Sequence, residues 1–391
     1  MRFCFAYNKT FRGGIIKKTI AVAFLVCLVL PAGAKTLRDV YQSGSVTIQS
    51  DLVINSDSLP EDMVMSEPSD FAFLPDGSIL VSDIDQNIIF MFSQDGEYEK
   101  TIGRKGQGPG ELALPTILGV QKDYFMTWEI GNRRFSLFAH DGSFLRHHKF
   151  SETTYLMPDK IVALQDGGFL MEYTRWDRGD GNVQQVAVLQ ILSRDLEKGK
   201  VLLEHPLNIN KFITPRDNLR MNVPQPFAPR VSWDLAAPDR VVLGTQEKYC
   251  LRILDLEGGE RSSFSHDAPP VPVTAKEKEE FFEKINYQGI DKKEVMPILR
   301  RHAVFQDHKP FYTGILVDPE GNILVFPSKE EARETDIRFD AFTPEGKFIK
   351  RVEIRGAETG FHRLRFHDGK LWSISRDEEE EPVLVRHTWG E

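Results

Sequence analysis

Cysteine is nearly absent. The 391 residues hold three, and two of them, Cys4 and Cys27, lie in the first 34 positions. A chain that loses that segment keeps only Cys250. It then has no intrachain disulfide, and its stability must come from a hydrophobic core. Cations are also short: 49 Lys and Arg stand against 58 Asp and Glu, for a formal net charge of −9. An acidic chain has little reason to bind nucleic acid or an anionic membrane. No apolar run reaches the roughly 20 residues that span a bilayer. Nucleophile elbows, paired cysteines and zincin helices are missing as well.

What is present begins with a leader. Lys17 and Lys18 precede the apolar stretch from Thr19 to Leu30, followed by Pro31 and Ala32-Gly33-Ala34. A basic region, a short apolar core and an A-x-A-like site predict a secretory signal peptide cleaved near Ala34. Phe24-Leu25-Val26 lacks the small residue expected before a lipidated Cys27. Cleavage takes away five cations and no anion, so the charge moves from −9 to −14. The mature chain is expected in the periplasm or outside the cell. Residues 35–67 offer one strand, Val46–Ile54.

From Pro68 onward the chain repeats. Pro68 is followed by an apolar strand, a turn at Asp76-Gly77, a second strand to Asp83, a third at Ile88–Phe92, a turn at Asp95-Gly96 and a fourth strand to Ile102. About 45 residues in this order make one four-stranded propeller blade. The first turn recurs at Lys122-Asp123, Asp166-Gly167, Pro238-Asp239, Glu320-Gly321 and Asp368-Gly369. Asx-Gly and similar pairs supply the positive φ of two-residue hairpins. Pro115, Pro158, Pro229 and Pro310 precede their turns much as Pro68 does, and Gly360 takes the sixth place. The later turn recurs at Asp141-Gly142, Arg194-Asp195, Glu257-Gly258 and Glu345-Gly346. Three markers in one order predict an all-β, six-bladed propeller over 68–391. Its last blade, at Phe361–Phe366, Lys370–Ile374 and Val383–His387, lacks a strand that Val46–Ile54 can fill, and this closes the ring. Between blades 4 and 5, Thr274-Ala275-Lys276-Glu277 reads as a capping box. It opens a two-helix insertion over about 274–303, expected to lie against the propeller.

One junction carries a fuller signature: Thr101-Ile102-Gly103-Arg104-Lys105-Gly106-Gln107-Gly108-Pro109-Gly110-Glu111-Leu112, then Pro115, preceded by Asp83 and Asn87–Phe92. It resembles the NHL-repeat-like six-bladed β-propeller family and is similar to exported bacterial propellers of unknown role. The resemblance implies the fold. The family includes binding modules and a few enzymes, so it does not imply a chemistry. Gly106-x-Gly108-x-Gly110 is not a phosphate loop, because no Gly-Lys-Ser/Thr and no helix follow it.

First and third connections of a blade open on one face, where the turns are tight. Second connections and blade crossings open on the other, where they are long: Tyr173–Val183, Pro327–Asp336, Ser375–Pro382, 204–228 and 266–309. Function is expected on that long-loop face, at the channel mouth. The residue two after each proline is expected there: Asp70, Ile117, Lys160, Val231 and Tyr312, with Arg230 and Arg363 nearby. The second connections add Asp83, Asp85, Trp128, Glu129 and Arg175-Trp176-Asp177-Arg178. The candidate ligand-binding set is therefore Asp70, Asp83, Trp128, Glu129, Lys160, Trp176, Arg230 and Tyr312. Aromatic groups beside charges suit a peptide or sugar.

No metal site is assigned. Calcium is the conceivable ion, although Lys160 and Arg230 oppose a carboxylate cage, and Asp177–Asn182 lacks a distal glutamate. His205, His266 and His362 are a conceivable zinc set. Two readings follow. One is an exported, non-enzymatic, monomeric propeller that binds a peptide, glycan or protein partner. The other is a metal-assisted hydrolase or lyase working in the channel.

Overall fold

The computed structural model describes residues 36–150, 156–179, 182–216, 219–285, 291–330, 337–355 and 363–390. The expected leader lies outside them, and so does His362. Four separate four-stranded antiparallel sheets form blades 1 to 4, and blades 5 and 6 are joined into one eight-stranded sheet by the N-terminal strand. Blade 1 is Pro68–Phe73, Ile79–Asp83, Ile88–Phe92 and Tyr98–Ile102. Blade 2 is Pro115–Val120, Phe125–Glu129, Arg134–Phe138 and Phe144–His148. Blade 3 is longer: Leu156–Ala163, Phe169–Gly179, Asn182–Leu192 and Lys198–Leu207. Blade 4 is Ser232–Ala237, Arg240–Gly244, Cys250–Asp255 and Glu260–Ser265. Blade 5 is Tyr312–Val317, Ile323–Pro327, Ile337–Phe342 and Phe348–Arg355.

Blade 6 has three C-terminal strands, Arg363–His367, Lys370–Arg376 and Pro382–Gly390, and takes Ser45–Ile54 as its outer strand. That strand runs antiparallel to the last one, from Thr47 opposite Gly390 to Ile54 opposite Leu384. Its first residues also run parallel to blade 5, with Ser45 opposite Glu353. The helix α1 (Leu37–Gln42) precedes it, and Tyr41 is buried against Phe339 and donates its hydroxyl to Asp318 Oδ2 at 3.0 Å.

Each junction between blades has its own apolar cluster. Leu74, Leu80, Phe125 and Phe138 join blades 1 and 2. Trp128, Phe135, Phe169 and Tyr173 join blades 2 and 3. Trp233, Leu170 and Leu243 join 3 and 4, and Tyr249, Tyr312 and Phe342 join 4 and 5. Phe339, Val352 and Leu371 join 5 and 6. The last seam sets Trp372, Ile374 and Leu384 of blade 6 against Phe71, Val81 and Phe90 of blade 1. A fully buried side chain of this size contributes about 1.5–3 kcal/mol, so the closing seam holds the ring in the same way as the other five.

Most of the tight turns are not two-residue turns. Residues 74–78 form a five-residue loop in which Leu74 N–H donates to Ser78 O and Gly77 N–H to Leu74 O. Residues 93–97, 139–143, 164–168 and 343–347 do the same. Gly77 has φ +92°, a left-handed position that favours glycine. Asp76 Oδ1 takes the Ser78 N–H at 3.0 Å, which is why the pair reads Asp-Gly.

Two crossings combine into a satellite. The hairpin Asn210–Arg216 and Leu219–Pro224 lies between blades 3 and 4. The helices α2 (Ala275–Lys284) and α3 (Lys292–His302) lie between blades 4 and 5. Met221 and Val223 of the hairpin, Phe282 of α2, and Val295 and Leu299 of α3 share one cluster. The helices therefore bury their apolar faces on the hairpin and on each other, not on the blades. Thr274 Oγ1 accepts from Glu277 N–H at 3.2 Å and Glu277 Oε2 from Thr274 N–H at 3.0 Å. Val304 N–H bonds Gln225 Oε1 at 2.7 Å, and Lys309 bonds both Glu277 (2.5 Å) and the carbonyl of Lys329 (2.8 Å).

Candidate functional site

Four of the six innermost strands, those of blades 1, 2, 3 and 5, carry a bulge near their start. The register shifts between Pro68 and Asp70, Pro115 and Leu118, Pro158 and Lys160, and Tyr312 and Gly314. An extra residue there turns a side chain that simple alternation would place on the other face. In three blades the extra position holds a hydroxyl that closes on a carbonyl. Ser69 Oγ donates to Pro115 O at 2.9 Å, Thr116 Oγ1 to Trp128 O at 3.3 Å, and Thr313 Oγ1 to Phe326 O at 3.3 Å. In blade 3 the position is Asp159, which can only accept when ionised.

Asp159 gathers charge around it. Its Oδ2 accepts from Thr174 Oγ1 at 3.0 Å. On the paired strand, Glu172 Oε2 accepts from the indole N–H of Trp233 in blade 4 at 2.7 Å. Lys160, opposite Glu172, donates to Trp233 O (2.8 Å) and Asp234 Oδ1 (2.9 Å). Arg230 leads into blade 4, and its N–H bonds Gln246 Oε1 at 2.9 Å. Arg363 begins the inner strand of blade 6. Asp159 is open to solvent and Glu172 partly so, yet protein packs closely around both. That enclosure pushes Glu172 up to about 7, helped by the charge of Asp159 and opposed by the Trp233 N–H, Lys160 and Arg230. It also raises Asp159, against the hydrogen bond of Thr174 and the positive charges of Arg230 and Arg363. A carboxyl titrating near neutrality in a cleft marks a functional-site candidate.

Other charges in the ring are consumed. Arg365 of blade 6 pairs with the fully buried Asp70 of blade 1 at 2.9 Å, and Asp70 Oδ2 takes the Leu118 N–H of blade 2 at 2.9 Å. Lys160, Asp234 and the Val317 N–H (2.8 Å to Oδ2) repeat this cation–carboxylate–amide relay across blades 3, 4 and 5.

The expected site residues divide accordingly. Lys160 and Arg230 stand in the cluster. Tyr312 is buried in the seam between blades 4 and 5, where its hydroxyl accepts from Gln246 N–H at 3.2 Å. It supports the residue that fixes Arg230 and cannot touch a ligand itself. Four others are corrected as contact residues by their surroundings. Asp70 is locked in its relay. Asp83 is fully buried, and its carboxylate accepts the N–H groups of Ser66, Glu67, Asp85 and Gln86. Glu129 is fully buried, taking the Ala113 N–H (2.9 Å), Arg134 Nε (2.8 Å), Asn132 and Ser136. Trp128 packs edge-on against Phe135 in the seam between blades 2 and 3.

Trp176 is half-buried on an unexpected element. The expected loop at Tyr173–Val183 is a continued ladder, paired as far as Gly179 opposite Asn182. There Arg175 clamps Asp177 at 2.7 and 3.0 Å, so that carboxylate is taken, and Asp180 lies outside the described residues. His205 faces Glu247 at 3.7 Å, and His266 stacks on Phe348. Among the described residues, no group of three or more His, Cys, Asp and Glu is placed to hold a metal ion. Asp159 and Glu172, faced by two guanidinium groups, do not make a calcium donor set.

The glycine-rich junction is filled from within. Glu111 Oε2 accepts the N–H groups of Gln107 (3.1 Å) and Gly108 (2.8 Å), and Arg134 donates to the carbonyls of Gln107 and Glu111. Its anion nest already holds a carboxylate of the same loop.

Residues 60–215 match the model of the family DUF5128, described as a 6-bladed beta-propeller. The chain is a six-bladed β-propeller. Among solved structures, this propeller is similar to a member of the duf4221 family from Bacteroides vulgatus, with 12% identity, 89% of this chain and 99% of that one covered, and a TM-score of 0.53. A candidate exported protein from Bacteroides fragilis covers the same shares at 12% identity and a TM-score of 0.48. Virginiamycin B lyase from Staphylococcus aureus covers 87% of this chain and 99% of its own at 10% identity, with a TM-score of 0.44. At such identities the likeness is one of fold. No curated protein matches the chain. No helix among the described residues is long and apolar enough to cross a membrane.

Proposed function

We propose that this is an exported propeller that binds a charged peptide-like or solute ligand at the channel mouth on the face that carries the satellite. One observation carries the reading. At the bulge position where blades 1, 2 and 5 place a self-satisfied hydroxyl, blade 3 places Asp159, beside Glu172 and facing Arg230 and Arg363. Departures from a repeated local rule collect where a scaffold serves a ligand. The leader-like first 34 residues support export, and cleavage near Ala34 is expected in N-terminal sequencing of the exported protein.

The test is calorimetric titration of the full chain against arrays of charged and neutral peptides and sugars. Binding is expected to fall with Asp159→Asn and with Arg363→Gln, and to persist with Arg261→Gln on the outer strand of blade 4. A ligand whose affinity survives Asp159→Asn, Arg230→Gln and Arg363→Gln alike rules out the channel mouth.

Glu172 favours a second reading, because a carboxyl near pH 7 suits a general acid or base in a hydrolase or lyase. Turnover of a lactone or peptide that Glu172→Gln abolishes would establish it.

A further inference from the structure

The four groups at the channel mouth are half-engaged in a regular way. Thr174 anchors one oxygen of Asp159, Oδ2, and Trp233 anchors one oxygen of Glu172, Oε2. Among the described residues, Oδ1 of Asp159 and Oε1 of Glu172 have no hydrogen-bond partner, and neither is sealed away from solvent. Arg230 is fixed by its backbone N–H and Arg363 by its place at the head of a strand. Among the described residues, neither guanidinium makes an ion pair. Opposite charges therefore face each other in one enclosure without touching, although Arg365–Asp70 and Lys160–Asp234 show that this ring closes such pairs readily.

Resting on the binding reading above, we propose that the mouth takes a compact zwitterion. Its carboxylate lies between Arg230 and Arg363, and its ammonium on the open oxygens of Asp159 and Glu172. The class is an α-amino acid or the end of a short peptide. Two guanidinium forks suit a planar carboxylate. Two carboxylates with one oxygen each already fixed suit an ammonium, which brings three donors and no acceptor. The alternatives meet a like charge. Inorganic phosphate would be drawn to the arginines but repelled by the carboxylates, and a divalent cation would meet the reverse. A neutral sugar would leave all four charges uncompensated when it displaced their water. Lys160 does not compete, because Asp234 and a carbonyl hold it in place.

The experiment is calorimetric titration of the full chain with glycine, L-alanine and L-alanyl-L-alanine. Acetate, methylammonium, N-acetylalanine and inorganic phosphate serve as controls. The zwitterions are expected to bind at least about tenfold more tightly than any control, a difference of about 1.4 kcal/mol. Asp159→Asn and Arg363→Gln are each expected to lose about tenfold or more, with unchanged melting temperature reporting an intact fold. Preference for the amino acids or for the dipeptide names the source, and either preference supports the proposal. Equal binding of phosphate or acetate overturns it, and so does zwitterion binding that ignores both variants, or no zwitterion binding at all. If a non-zwitterionic ligand from the broader arrays is lost in these same variants, the zwitterion assignment fails while the channel-mouth reading stands.

Discussion

Blades 1 and 3 use the same stretch of their innermost strands in opposite ways. In blade 1, Ser69 closes on a carbonyl and Asp70 is sealed between Arg365 and the Leu118 N–H. Every polar atom there is spent on holding neighbouring blades together. In blade 3, Lys160 plays that part toward Asp234, while Asp159 keeps an oxygen open beside Glu172. One position serves the ring and its counterpart serves the opening. An ionic group in a repeat protein is therefore read by whether its neighbours use it up, not by its charge.

The contrast can be broken from the structural side first. Asp70→Ala takes the carboxylate from Arg365 and leaves the Leu118 N–H unpaired. A loss of about 3–5 kcal/mol is expected, seen as a lower urea midpoint. Asp159→Asn is expected to move the same midpoint by less than about 1 kcal/mol. Equal losses would erase the distinction between the two positions.

A pH series sharpens it next. Glu172 is raised from 4.5 to about 7, so the folded chain holds this proton more tightly than the unfolded chain does. The advantage is complete below about pH 4.5 and fades as pH rises toward 7. Above that, an enclosed charged Glu172 costs about 1–3 kcal/mol. Glu172→Gln is expected to flatten this fall and to be more stable than the parent at pH 8, by denaturation at pH 5 and pH 8. Parallel pH curves for the two proteins would count against the enclosure of Glu172.

The smallest effect belongs to the satellite. Thr274→Ala removes the cap of α2 and is expected to cost about 1 kcal/mol. The loss should appear as faster amide exchange in α2 and α3, with blades 1 and 2 unchanged, because the satellite keeps a core of its own. A slowing or loss of protection spread over all six blades would contradict that independence.

Much of the ring was legible because turn chemistry repeats with the blade. Asp-Gly pairs mark loops whose φ favours glycine, and apolar strands between them must bury both faces. The site was legible only to within one residue. Counting two places from Pro158 reaches Lys160, one residue past the bulge position that blades 1, 2, 3 and 5 share, and the open carboxylate stands at that position, Asp159. Its signal was available: an aspartate where Ser69, Thr116 and Thr313 stand in other blades. Glu172 carried no such mark, because its environment is made by Trp233, 61 residues away. Trp128 and Tyr312 misled because an aromatic near a strand end looks the same in sequence whether it meets solvent or a neighbouring blade. The satellite was half visible. Its helices announced themselves by their caps, but the hairpin that covers them comes from a different crossing.

The outer strand of blade 6 also sets an order of events. Asp51 meets Arg386 across 335 positions of chain, and beyond the short parallel pairing of Ser45, Val46 and Thr47 with blade 5, Ser45–Ile54 has no mate until Pro382–Gly390 exists. Most of a segment made early thus waits, with its ladder groups unmatched, for a strand made much later. Such distant pairing is slow to find, and an unmatched edge is open to the wrong partner in the meantime. Closure of the ring therefore depends on a late meeting of two strands far apart in the chain. Before that meeting the closing seam lies open, whatever the other five have already gained.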